Sequence, residues 1–117
     1  MTRRDRVVAA FRSALAARSG PALARLLARK VSVRSDDARP VVGAVDVAAA
    51  LVAHDATSLT LQSVNGETGI VARAGTEVVA VYCVTVRLGR VVDVFLIREP
   101  TRLQHFTRVT DSDPPRS

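Results

Sequence analysis

Asp93 has the setting in this sequence that most invites chemistry, a carboxylate between Val92 and Val94 with Phe95 two positions on along the same strand face. A carboxyl taken out of water must be paired or neutralised. A guanidinium on a neighbouring strand, Arg73 or Arg87, would make Asp93 half of an ion pair; without one it would be a cavity acid with a raised pKa. The ion pair is the preferred reading. His54 closes a helical pattern, where a cation suits the helix dipole, and His105 lies far along the chain from every candidate partner. Cys83 is the single cysteine and sits between Tyr82 and Val84, so it reads as a small buried thiol rather than a nucleophile. With one thiol there is neither an intrachain disulfide nor a two-cysteine metal or redox motif. No phosphate loop, Ser-His-Asp spacing, dinucleotide fingerprint or paired metal ligands occur, so the sequence predicts neither a cofactor nor a metal site.

These residues must be positioned by elements whose periods change along the chain. Val7, Val8, Phe11, Ala14 and Leu15 recur at spacings of three and four, which predicts a helix over about 5–18. Ser19-Gly20-Pro21 stops it and starts a second helix, with Leu23, Leu26 and Leu27 on its buried side. From Val31 the period falls to two, giving a short strand that runs into the turn-rich loop Ser35-Asp36-Asp37-Ala38-Arg39-Pro40. A third helix follows Gly43 through Val47, Ala50, Leu51 and His54.

Beyond Thr57 the chain reads as strands joined by tight turns: Leu59 to Val64, Gly69 to Arg73, Thr76 to Leu88 and Arg90 to Arg98. Asn65-Gly66 is a hairpin signal, hence backbone geometry before any ligand contact. The predicted class is α+β, an antiparallel meander with the helices gathered on one face. In Val78 to Val84 and Val91 to Ile97 both alternating sets are apolar, so both sheet faces need cover. The helices can hide one; a second copy of the chain is the simplest cover for the other, which predicts a homodimer through the sheet face. Residues 1–106 are expected to form one domain and Thr107 to Ser117, with Pro114-Pro115, a loose tail.

The net charge of +6 raises the question of nucleic acid. The arginines are scattered from Arg3 to Arg116 and aromatics for base stacking are scarce, so solvated faces are the favoured reading and nucleic-acid binding is not expected. Arg12 interrupts the N-terminal apolar run well short of the roughly 7–15 residues of a secretory core, and no stretch approaches a membrane span; the expected compartment is the cytoplasm.

Val64-Asn65-Gly66, Gly69-Ile70-Val71, Gly89-Arg90-Val91 and the run Arg98-Glu99-Pro100-Thr101-Arg102-Leu103-Gln104-His105-Phe106 resemble the C-terminal SnoaL-like domain of certain actinobacterial extracytoplasmic-function sigma factors. That domain belongs to the nuclear transport factor 2-like superfamily, and the likeness runs from about Val7 to Phe106. Glu99 stands where the family commonly has Asn, and the loop at Ser35-Asp36-Asp37 is shorter than usual. The resemblance implies a cone-shaped, curved antiparallel sheet wrapped on the N-terminal helices, with a cystatin-like outline. It also implies two classes of function. In enolising members a carboxylate after the first strand removes a proton from carbon, which places Asp36 or Asp37 as base and Tyr82 or Asp93 as the opposing group. A non-catalytic domain would instead hold a small hydrophobic ligand among Phe11, Leu15, Leu51, Tyr82 and Phe95, with a regulatory tie to sigma factors. Fold alone does not choose between them.

Overall fold

Thr2 begins the first helix as a capping box: its hydroxyl accepts the Asp5 N–H at 3.0 Å, and the Asp5 carboxylate accepts the Thr2 N–H at 3.3 Å. The computed structural model describes residues 2–104, so His105, Phe106 and the expected tail lie outside the described residues. Helix α1 (Arg3–Ala16) buries Val8, Phe11, Ala14 and Leu15. Arg18 takes a positive φ of 51° and turns the chain, and Ser19 caps α2 (Gly20–Leu26), whose N–H at Ala22 reaches the serine hydroxyl at 3.2 Å.

Strand β1 (Leu27–Ser35) starts four residues earlier than the period suggested. Leu23, Leu26 and Leu27 fit a helical stripe, yet Leu27 already pairs with Val91, and a register shift follows before Ser32. A two-residue strand, β2 (Val41–Val42), pairs back on β1 and carries the chain into α3 (Ala44–Val52). The third helix ends at Val52, leaving His54 in the loop beyond it. Strands β3 (Ser58–Val64), β4 (Glu67–Ala74), β5 (Glu77–Arg87) and β6 (Arg90–Ile97) then form the meander. The sheet order is β2-β1-β6-β5-β4-β3, antiparallel throughout except for the parallel pair β1 and β6. No described helix is long and apolar enough to cross a membrane.

Two bulges decide which side chains face the helices. Ala72 pairs with Ala80 and Arg73 with Val78, so Val79 is an extra residue on β5; Val86 pairs with Val91 and Thr85 with Asp93, so Val92 is extra on β6. One face presents Ile70, Ala72, Ala80, Tyr82, Val84, Val94 and Leu96 to the helices, where Phe11, Leu15, Leu23 and Val47 complete the main core. The other face presents Val71, Val78, Val81 and Ile97.

This second face, whose simplest expected cover is a second copy of the chain, is covered in part by the chain itself. Residues 100–104 form a helical turn after β6, and Leu103 packs on Val71, Val81 and Ile97, making a second small core from within the chain. A leucine buried in this way contributes about 1.5–3 kcal/mol. Cys83 and Phe95 flank that core and are only half-buried.

The β5–β6 turn carries a local misfit. Leu88 has φ 53° ahead of Gly89 at φ 76°, a turn that suits Asn-Gly, and its side chain is 96% exposed. An L-residue in the left-handed region costs roughly 1–2 kcal/mol, and Asn tolerates it better than Leu. Leu88→Asn is therefore expected to stabilise the fold by about 1 kcal/mol, read as a rise in the urea midpoint without a change in slope. A lower midpoint would show that the leucine makes a contact the turn needs.

Candidate functional site

Small side chains leave a space at the end of the sheet that the helices do not fill. Ala72 and Ala74 on β4, Val79, Ala80 and Tyr82 on β5, and Leu96 and Arg98 at the end of β6 face residues 53–56 across a cavity of about 230 Å³. The bulge at Val79 turns both Val79 and Ala80 toward it. Arg98 and Val79 also border a more open hollow of about 290 Å³ beside residues 100–104.

The loop wall is fixed from below by two side chains. His54 accepts the Ala56 N–H at Nδ1 (3.2 Å), which places its proton on Nε2, donated to the Leu15 carbonyl at 2.9 Å. Both ring nitrogens are engaged, so His54 latches the loop to the end of α1. Arg18 adds contacts to the carbonyls of His54 at 3.1 Å and Ala56 at 3.4 Å. Asp55, between them, is exposed at the rim.

Tyr82 is the polar group set deepest in the cavity wall. It is 3% exposed, and its hydroxyl has no hydrogen-bond partner among the described residues. Nor does it count among fully enclosed unsatisfied atoms, so the oxygen keeps some accessible surface, and the residue lines the cavity. Burial raises its pKa, with the positive charge of Arg98 opposing. The phenol is thus a neutral donor at ordinary pH.

Asp36 and Asp37, the bases of the enolising alternative, are placed elsewhere. The Asp36 carboxylate accepts the N–H groups of Arg98 at 2.9 Å and Glu99 at 3.2 Å, with Arg102 Nη1 at 3.5 Å. Burial alone would raise its pKa; the two backbone amides and the Arg102 charge outweigh that and hold it below the usual value. Such a carboxylate is a poor base, and it serves to start the turn that carries Leu103. Asp37 accepts Nε–H of Arg98 at 3.2 Å, half exposed, and neither aspartate borders the cavity.

Asp93 is an ion-pair member, as the preferred reading had it, but with a different partner. It receives Arg34 Nη2 at 2.8 Å and Nε at 3.3 Å and the Ser32 hydroxyl at 2.8 Å, not Arg73 or Arg87. Burial pushes its pKa up, but Arg34 and Ser32 more than reverse this, so it stays ionised. The parallel pairing of β1 with β6 brings Ser32 opposite Asp93, a contact that the meander expectation could not supply. Asp93 and Phe95 lie on the face away from the helices. There the guanidinium carbons of Arg34 and Arg102 stand 5.5 and 5.9 Å from the Phe95 ring centre.

Of the expected ligand lining, Tyr82 alone borders the cavity. Phe11, Leu15 and Leu51 are packed solid in the main core, and Phe95 is on the opposite face. Sequence reasoning missed Arg98, Asp55 and the alanines; the alanine-rich stretch 53–56 and the Ala72, Ala74, Ala80 spacing were the available signals.

The architecture, a six-stranded curved sheet with three helices on one face, has well-determined likenesses among solved structures. An NTF-2-like protein of unknown function from Burkholderia xenovorans LB400 matches with a TM-score of 0.66 at 15% identity, over 87% of this chain and 91% of that one. This chain has the nuclear transport factor 2-like fold. A candidate ketosteroid isomerase from Kribbella flavida DSM 17836 matches with a TM-score of 0.67 at 17% identity, over 83% of this chain and 78% of that one. The Mycobacterium tuberculosis extracytoplasmic function sigma factor SigJ matches with a TM-score of 0.63 at 22% identity, over 97% of this chain but 46% of that one. No protein-family profile and no curated protein matches the sequence. At these identities the nuclear transport factor 2-like likeness establishes the fold and its cone-shaped outline, and the site must speak for itself.

Tyr82 is the sole tyrosine and there is no tryptophan, so its ionisation can be read from phenolate absorbance without overlap. The folded chain is expected to titrate above the value near 10 of a free tyrosine, and above the same chain unfolded in guanidinium. With the folded pKa the higher, this contribution to stability is intact below about pH 10 and lost as pH rises through the folded value. Ionisation at or below the unfolded value would place the hydroxyl in water.

Proposed function

We propose that this chain is a non-catalytic domain of nuclear transport factor 2-like fold that binds a small ligand in the cavity beside Tyr82, in the cytoplasm and as a homodimer. The observation that carries the reading is Tyr82, a residue 3% exposed that lines a space bordered by alanines and whose hydroxyl has no protein acceptor among the described residues. A polar group so placed is satisfied by what occupies the space. At about 230 Å³ the cavity falls below the roughly 300–1,000 Å³ of drug-sized sites, which restricts the occupant to a small molecule.

The alternative, an isomerase, cyclase or dehydratase working with Asp36 or Asp37, is the weaker reading. Its base would have to leave two backbone amides or a guanidinium and reach a cavity it does not border. The regulatory connection to sigma factors rests on the resemblance and on the SigJ likeness. The dimer rests on the half-buried Cys83 and Phe95 beside an apolar second face.

Ala80→Leu is the direct test, because the added carbons fill the space without introducing a polar group. Small fragments that shift the amide and methyl resonances of Ala72, Tyr82 and Leu96 in the native chain are expected to lose that effect in the variant. Fragments that shift both proteins alike would mean the cavity is not the site. Sedimentation equilibrium is expected to give twice the chain mass at micromolar concentration; a single-chain mass there removes the dimer.

A further inference from the structure

We infer that the cavity takes a small monocarboxylate with a compact apolar body, its carboxylate held between the Tyr82 hydroxyl and the Arg98 guanidinium. This rests on the ligand-binding reading above and adds the chemical class of the occupant.

Tyr82 and Arg98 bring donors to the space, and Asp55 is the carboxylate at its rim. Tyr82 offers a neutral O–H. Arg98 has five N–H donors, of which Nε–H is engaged by Asp37; the terminal nitrogens have no acceptor among the described residues. Of the acceptors on the loop wall, His54 Nδ1 is taken by the Ala56 amide and the carbonyls of His54 and Ala56 by Arg18, which leaves the exposed Asp55 carboxylate at the rim. A ligand that meets both Tyr82 and Arg98 presents acceptors to them, and a guanidinium selects a planar, charged pair of oxygens.

The rest of the lining limits the charge and shape. Ala72, Ala74, Val79, Ala80 and Leu96 give an apolar wall, against which a dianion would leave one charge uncompensated. Asp55 stands across the mouth as the opposing charge, but it is exposed and water screens it. Arg98 is held at the rim rather than buried, through its backbone N–H on Asp36 and its Nε–H on Asp37. Its remaining donors thus stay in contact with water until a ligand arrives.

The probe pair is cyclohexanecarboxylate and cyclohexanecarboxamide, which share a shape and differ in charge, with Tyr82 fluorescence as a single-site readout and calorimetry as the second. The carboxylate is expected to bind about tenfold more tightly than the amide, the scale of a hydrogen bond to a charged group. In Arg98→Met the two affinities should fall within about twofold of each other, with amide binding kept. Equal affinities in the native chain, or an unchanged preference in Arg98→Met, would overturn the carboxylate assignment while leaving a ligand pocket. No response to either probe would overturn both. Should Arg98→Met fail to fold, Tyr82→Phe read by calorimetry decides: a several-fold loss of carboxylate affinity is expected, and an unchanged affinity overturns the assignment.

Discussion

Strands β5 and β6 are apolar on both sides, and that constraint shapes the whole chain. Such strands cannot lie at a water boundary, so the sheet has to be covered twice. Three N-terminal helices cover one side with Val8, Phe11, Leu15, Leu23 and Val47, all without exposed surface. Part of the second side is covered by the residues after β6, through Leu103, while Cys83 and Phe95 stay half-buried. That return is possible because Asp36, in the loop after β1, accepts the amides of Arg98 and Glu99 and turns the chain back.

The same turn links the two faces to the cavity. The backbone of Arg98 is fixed by Asp36 and its side chain by Asp37, which sets the guanidinium at the cavity rim while Leu103, five residues on, closes the opposite core. Opposite it, the loop 53–56 is held by His54 and Arg18. Both walls of the cavity are thus pinned by groups outside it. Small side chains at Ala72, Ala74 and Ala80 leave the space between those walls.

Much of the fold was legible from local pattern. Spacings of three and four located all three helices, and Asn65-Gly66 takes the paired positive φ values, 52° and 84°, of the tight turn it signals. What local pattern could not carry was pairing between distant segments. Leu27 suits a helical stripe as well as a strand, so the start of β1 was hidden, and β2 is too short to have a period. The extra residues Val79 and Val92 change the face of everything beyond them, and nothing in a run of valines marks a bulge. Phe95 was accordingly expected in the cone and lies outside it.

The site was less legible for a related reason. A carboxylate's role depends on what meets it, and for Asp36 and Asp93 the partners are 59–66 residues away in sequence. Read alone, Asp36 is a turn residue or a base and Asp93 an ion-pair member or a cavity acid, and both are held ionised by donors that the topology brings to them. Tyr82 is the reverse case. Its neighbours in space withhold a partner, so burial without satisfaction, visible only in three dimensions, singles it out from the valines around it. A hydroxyl kept neutral by its surroundings is suited to donating a hydrogen bond rather than to removing a proton.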